Sequence, residues 1–275
     1  MRRLTNITLG VDWEILVNDV RTGCSAGKEK LSWLIEQAQV KMPHLEVGED
    51  FDLFEVRLGV TKSYDESVDK IIYACETSQK IAHRRRMVLV PVGMREHDLN
   101  PAGGHIHAGS VERYEDVVEL HNRLMPFVPV IIAFASSSPS VDGKFMSLRL
   151  RTNARQCSRP MSLMEKDGSP QWGTDVCIRY PEKSTLEFRA ADSQPTPTLM
   201  AEFAALFLGL TSQLSRVKKA PLKPDPIEYG INRLNAMING ARAKFIVEGE
   251  YISAGEMMSD IVIPLALLGL SLIHI

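Results

Sequence analysis

Residues 7–17 read ITLGVDWEILV, with apolar side chains at every second position: Ile7, Leu9, Val11, Trp13, Ile15 and Val17. Successive side chains of a strand point to opposite faces, so this run reads as a half-buried strand carrying Gly10, Asp12 and Glu14 on its other face. Three further stretches alternate in the same way. Over 51–60, Phe54, Val56, Leu58 and Val60 share one face, leaving Glu55, Arg57 and Gly59 on the other. Over 100–110 (NPAGGHIHAGS), His105 and His107 project together while Ile106 and Ala108 face away. Glycines at 103, 104 and 109 would let a bulky ligand approach that backbone closely. Over 185–191, Leu186, Phe188 and Ala190 oppose Glu187 and Arg189.

Helical spacing separates these strands. Residues 65–86 place Val68, Ile71, Ile72, Cys75, Ser78, Ile81 and Ala82 on one stripe. The basic run 83–86 then sits where cations complement the helix dipole, as a solvated helix end and not a binding patch. A short amphipathic piece spans 31–40, a short apolar strand 87–92, and a helix 111–125 with Ser110 as its N-cap. The apolar segment 127–135 is buried and leads into the turn-rich loop 136–143, while 144–182 has no clean periodicity. A long helix follows over 198–217, then a Pro-rich linker over 219–226 and helical signal over 227–247. Strands of this kind with helices between them predict an α+β fold. An antiparallel sheet packs its apolar face on helices and presents the other as an open floor.

Composition narrows the function classes. The 275 residues carry a net charge of −2, which gives no electrostatic reason to expect nucleic acid or an anionic membrane as a partner. The four cysteines, Cys24, Cys75, Cys157 and Cys177, form no CxxC pair, which argues against a structural zinc site and suits a reduced cytoplasmic protein. The N-terminal MRRLTNITLG lacks the apolar stretch of a signal peptide. Residues 261–275 are apolar but short for a membrane span, and Pro264 interrupts them. The last six residues, LSLIHI (270–275), look like read-through of a sequencing adaptor, so the expected unit is a single catalytic domain over 1–269, shortened at its C-terminus.

The loaded faces of the four strands gather Asp12, Glu14, Glu55, Arg57, His105, His107, Glu187 and Arg189. Like charges so collected need compensation. Oxygen-rich ligands with one or two histidines suit Mg²⁺ or Mn²⁺, and arginines suit phosphate or carboxylate groups. Cations and arginines around an anionic substrate are the usual means of stabilising phosphoryl transfer from ATP. For any single strand, a merely solvated polar face is the plainer reading. Four together favour a site.

The segments GVDWEILV (10–17), GGHIHAGS (103–110), MPFVPVIIAFASSSPSVDG (125–143) and LEFRAADSQPTP (186–197) resemble, in order and spacing, the type 2 glutamate–cysteine ligase family of the glutamine synthetase-like superfamily. Asn232–Arg233 fits the family's downstream region. The resemblance implies a curved antiparallel sheet whose concave face holds divalent metals and ATP. ATP first phosphorylates a substrate carboxylate, usually that of glutamate, and an amine then displaces phosphate to form an amide. On the same basis Glu14, Glu55, His105 and Glu187 correspond to metal ligands, and Asp12 and His107 to additional metal or phosphate contacts. Arg189 corresponds to the group that stabilises the transferred phosphoryl, with Glu187 its catalytic neighbour. Arg179 and either Arg149 or Arg151 correspond to arginines that bind phosphate or substrate carboxylate. Asp12 departs from the family's usual Glu, and Ala108 from its valine. Homo-oligomers are common in the superfamily, though no residue here marks an interface. The competing readings are a ligase with another acid or amine, and a nucleotide- or metal-binding protein of the same fold without ligase activity.

Overall fold

A computed structural model describes residues 7–61, 63–94, 101–109, 113–137, 158–166, 168, 172–181 and 183–271, and the backbone of 140–141 and 144–145. The first alternating run becomes β1 (Thr8–Asp19), at the centre of a seven-stranded sheet. With β2 (Glu46–Asp50), β3 (Leu53–Arg57), β4 (Met87–Val90), β5 (Gly104–Gly109), β8 (Val176–Arg179) and β9 (Thr185–Phe188), the order is β2-β3-β1-β5-β9-β8, and β4 pairs with the far end of β1. Every pairing is antiparallel. The short strands β6 (Ser140–Val141) and β7 (Lys144–Phe145) form a separate hairpin.

Residues directly opposed in an antiparallel pair share a face, so the register decides which side chains meet. Trp13 opposes Val56, Ile15 opposes Phe54, Val11 opposes Ile106, Ile106 opposes Phe188, and Phe188 opposes Val176. One face of the sheet is therefore continuously apolar, and its residues belong to the main core. The helix Pro197–Arg216 packs there, with Phe207 stacked on Phe188 at 5.5 Å between ring centroids. Burying an aromatic ring of this size stabilises a fold by about 1.5–3 kcal/mol. The remaining helices before it are α1 (Lys28–Lys41), α2 (Tyr64–His83), α3 (Tyr114–Leu124) and α4 (Val128–Phe134), so the helix on Phe188 is α5. At the start of α2 the Ser63 hydroxyl accepts from the Glu66 N–H at 3.1 Å. Arg85 from the basic run after α2 lies over the Trp33 ring at 4.4 Å.

Several boundaries differ from the sequence expectation for physical reasons. Gly59, at φ +66, turns the chain after β3, so Val60 leaves the apolar face and is exposed. Helix α3 starts at Tyr114 with Arg113 at its N-cap, and Ser110 lies outside the described residues. The unpatterned stretch 144–182 contains β8, and the loop after 40 contains β2; both are short edge strands with too few residues to show alternation. Helix α6 (Pro226–Asn239) does not run to 247, because Gly240 at φ +53 ends it. A hairpin follows, β10 (Lys244–Val247) and β11 (Glu250–Ser253), closed by Glu248 and Gly249 at φ +51 and +85. Pro264 does not interrupt the last helix, α7 (Ala254–Ser271). The turns over Met257–Val262, just before the proline, are π-helical. Among the described residues α7 has the length and apolar character of a membrane span, but its Ala266 and Gly269 face α5. That contact is backbone on backbone: a Cβ on Gly209 would stand 2.3 Å from the Ala266 carbonyl oxygen.

Candidate active site

The polar face of the sheet is assembled by the same register. Asp12 opposes both Arg57 and His105, Glu14 opposes Glu55, and His107 opposes Glu187, which in turn opposes Cys177. Arg179 projects one pair further along β8, opposite Thr185. Five strands thus contribute to one floor, and the buried charged or polar members are Glu14, Glu55, His105, His107 and Glu187.

Glu187 is the hub. Arg179 Nη1 donates to its Oε2 at 3.0 Å, and Arg189 Nη1 donates to its Oε1. The His105 ring bridges two carboxylates, with Nδ1 3.7 Å from Glu187 and Nε2 3.6 Å from Glu14. His107 Nε2 lies 3.1 Å from Asp12 Oδ2 and 3.8 Å from Glu187 Oε1, and its Nδ1 is 3.3 Å from the Thr185 hydroxyl. The Glu14 carboxylate accepts from the Gly103 N–H, and the Glu14 N–H donates to the Gly103 carbonyl at 2.9 Å. Glu55 accepts from Arg57, which also reaches Glu46.

Burial and pairing set the protonation tendencies. Burial pushes Asp12 up, but the His107 hydrogen bond and charge, with Lys183 and Arg57, hold it below the usual carboxylate value. Glu55 is raised by burial, which outweighs the attraction of Arg57, and Asp12 adds to the rise. For Arg189 burial works against the charge, yet Glu187 keeps the guanidinium firmly protonated. The like charges are therefore compensated, at least in part, by arginines. The carboxylates and the imidazole form a hard donor set that fits Mg²⁺ or Mn²⁺ by its chemistry. Among the described residues no three such side chains already stand as a metal-holding group, Glu55 and Glu187 being turned to arginines.

A cleft of about 460 Å³ opens beside this floor, its wall including Asp12, His44, Glu46, Arg57, His107 and Lys183. Asp12 and His107 belong to both, and His107 lies 3.8 Å from Glu187.

All the expected strand residues, Asp12, Glu14, Glu55, His105, His107, Arg179, Glu187 and Arg189, come to one face; Arg149 and Arg151 lie outside the described residues. Two of the three glycines of the histidine stretch, Gly104 and Gly109, make room for neighbouring side chains and not for the expected ligand. A Cβ on Gly104 would meet Met200 Sδ at 2.7 Å, and one on Gly109 would meet Thr185 Cγ2 at 2.6 Å, so they admit neighbouring side chains. Sequence reading missed Trp172, Cys177 and the Asp175–Arg233 pair. Only the pair had a signal, since Arg233 stood in the quoted downstream motif. The Cys177 thiol is buried opposite Glu187, and both facts raise it. Asp175 is wholly buried and accepts from Arg233, Tyr229 and Ser158.

No family model matches the chain. Its sequence is 27% identical over 171 residues to "Putative glutamate–cysteine ligase 2" of Ectopseudomonas mendocina (strain ymp), covering 53% of this chain and 44% of that protein. Similar solved structures include a bifunctional glutathione synthetase from Pasteurella multocida (TM-score 0.64, 10% identity, 98% of this chain and 46% of that one). Another is the ligase PafA in complex with the ubiquitin-like protein Pup (0.61, 12%, 96% and 58%). A third is glutamate–cysteine ligase from Francisella tularensis in complex with AMP (0.59, 11%, 99% and 81%). The chain thus has the fold of carboxylate–amine ligases, and it spans less than half the length of the curated relative it matches.

Proposed function

We propose that this chain is the catalytic portion of an ATP-dependent carboxylate–amine ligase of the glutamate–cysteine ligase type. The observation that carries the reading is Glu187. A buried carboxylate clamped by Arg179 and Arg189 and approached by two imidazoles stands beside a cleft large enough for a small molecule.

The divergent structural relatives supply the fold, and the motif order supplies the roles. Arg189 and Arg179 bring planar guanidinium forks to the two oxygens of Glu187, and such forks suit the oxygens of a phosphoryl group passing from ATP to a carboxylate. Asp12 and His107 border the cleft, where they orient the acid or the incoming amine. Glu14, Glu55, His105 and Glu187 would hold one or more divalent cations, which when bound supply charge neutralisation and Lewis acidity to the phosphates. Burial of this floor keeps water from the activated acid, which would otherwise hydrolyse before the amine reaches it.

The test is phosphate release with Mg²⁺, ATP, glutamate and a panel of amines. Release should require both an acid and an amine, and the pair giving the highest rate identifies the substrates. Release that ignores every amino acid and amine supplied would sink the reading. Binding of Mg²⁺–ATP by calorimetry with no turnover on any pair would instead favour a nucleotide-binding protein of this fold.

A further inference from the structure

Trp172 is 52% exposed, although a ring of this size is normally buried or in use. Its indole face lies 3.9 Å from Arg179 Cζ and borders Arg189 at 5.8 Å. Arg179 in turn donates to Glu187 at 3.0 Å. Ring, guanidinium and carboxylate therefore follow one another in that order. The ring is also anchored. Arg159 donates its side chain to the Trp172 carbonyl and its backbone N–H to Gly173 at 2.7 Å, and Asp175 N–H donates back to the Arg159 carbonyl at 2.8 Å. Gly173, at φ +71, makes the turn that folds Trp172 back over β8.

We propose that Trp172 is a positioning residue: it holds the Arg179 guanidinium flat so that its in-plane N–H groups stay aimed at Glu187 and at the phosphoryl oxygens of the nucleotide. This rests on the ligase reading, in which Arg179 and Arg189 receive those oxygens. An arginine side chain samples many rotamers, and a ring on one face of the guanidinium removes most of them while leaving the hydrogen-bonding edge open. The ring gives no charge and touches no reacting atom; it acts through Arg179.

Calorimetric binding of Mg²⁺–ATP and of inorganic pyrophosphate tests this in wild type, Trp172→Ala, Trp172→Phe, Arg179→Ala and the Trp172→Ala/Arg179→Ala double variant. Trp172→Ala should weaken binding roughly five- to thirtyfold, and Trp172→Phe should restore most of it. In the Arg179→Ala background the tryptophan change should add nothing, which a merely structural role would not produce. Wild-type affinity in Trp172→Ala, an equal loss in both backgrounds, or no binding of either probe to wild type overturns the proposal. Turnover in the wild type with an unaffected Trp172→Ala variant would overturn it while leaving the ligase reading intact. Pyrophosphate binding that depends on Trp172 in a protein without turnover would support it while the ligase reading fell.

Discussion

Two buried carboxylates, Asp175 just before β8 and Glu187 on the neighbouring β9, are both met by arginine. Their surroundings differ. Asp175 accepts from Arg233 Nε and Nη2, from the Tyr229 hydroxyl and from Ser158, and the Tyr229 hydroxyl is raised well above its usual value by burial and by the carboxylate itself. Arg233 adds a bond to the Ser158 carbonyl at 3.1 Å. Glu187 has two arginines, but its imidazole neighbours stand at 3.7 and 3.8 Å, beyond hydrogen-bond reach, with a cleft alongside. A completed network fixes a position. One with contacts still to be tightened can exchange partners when a ligand arrives. The two are joined, since Arg189 N–H donates to the Asp175 carbonyl at 2.9 Å. The fixed carboxylate supports the strand that carries the adaptable one.

Damage to the first should appear as stability and damage to the second as rate. The largest effect is expected for Arg233→Met, which strands a buried carboxylate and should lower unfolding free energy by about 3–5 kcal/mol in urea titration. The double variant with Asp175→Asn should recover part of that loss. Glu187→Gln should keep the fold and lose about a hundred- to a thousandfold in phosphate release; wild-type turnover in that variant would remove Glu187 from the site. Arg189→Lys should lose about ten- to a hundredfold, because a point charge does not reproduce a planar fork. Away from both carboxylates, Gly209→Ala must push α5 and α7 apart and should destabilise by about 1–3 kcal/mol in the same titration. The smallest effect is at Asp19. Lys30, and then Arg21, hold this carboxylate far below its ordinary 3.8, so its contribution is present above that value and fades as pH falls through the depressed one. Asp19→Asn should therefore differ from wild type at neutral pH and converge on it in acid, as followed by thermal melts.

The contrast also marks what the sequence could reveal. The strands at 8–19 and 104–109 were legible because one face is apolar and the other carries glycine and polar or charged side chains, so alternation records which side faces the core. The polar residues on their other faces, Glu14 and His105 among them, followed from the same period. Edge strands β2 and β8 were not legible, being short and partnered on one side, and with β8 went Cys177. Arg179 came only from the family resemblance, outside its quoted motifs. The hairpin after Asn239 was hidden because KFIV and EYIS read as apolar spacing until Glu248 and Gly249 are recognised as its turn. Trp172 and Asp175 lie in unpatterned chain, and their roles come from tertiary neighbours that no local period encodes.

The central place of β1 bears on how the chain is made. Its partners β3, β4 and β5 emerge progressively later, and β5 in turn waits for β9 at 185–188. At a synthesis rate of about 5–20 residues per second, the first strand waits on the order of ten to thirty seconds for the last of its sheet. Throughout that interval Val11, Trp13 and Ile15 form a sticky ribbon with unpaired edges. Pairings this distant in sequence are slow to close. The glutamate and aspartate on its other face therefore also serve as gatekeepers that keep a nascent strand soluble.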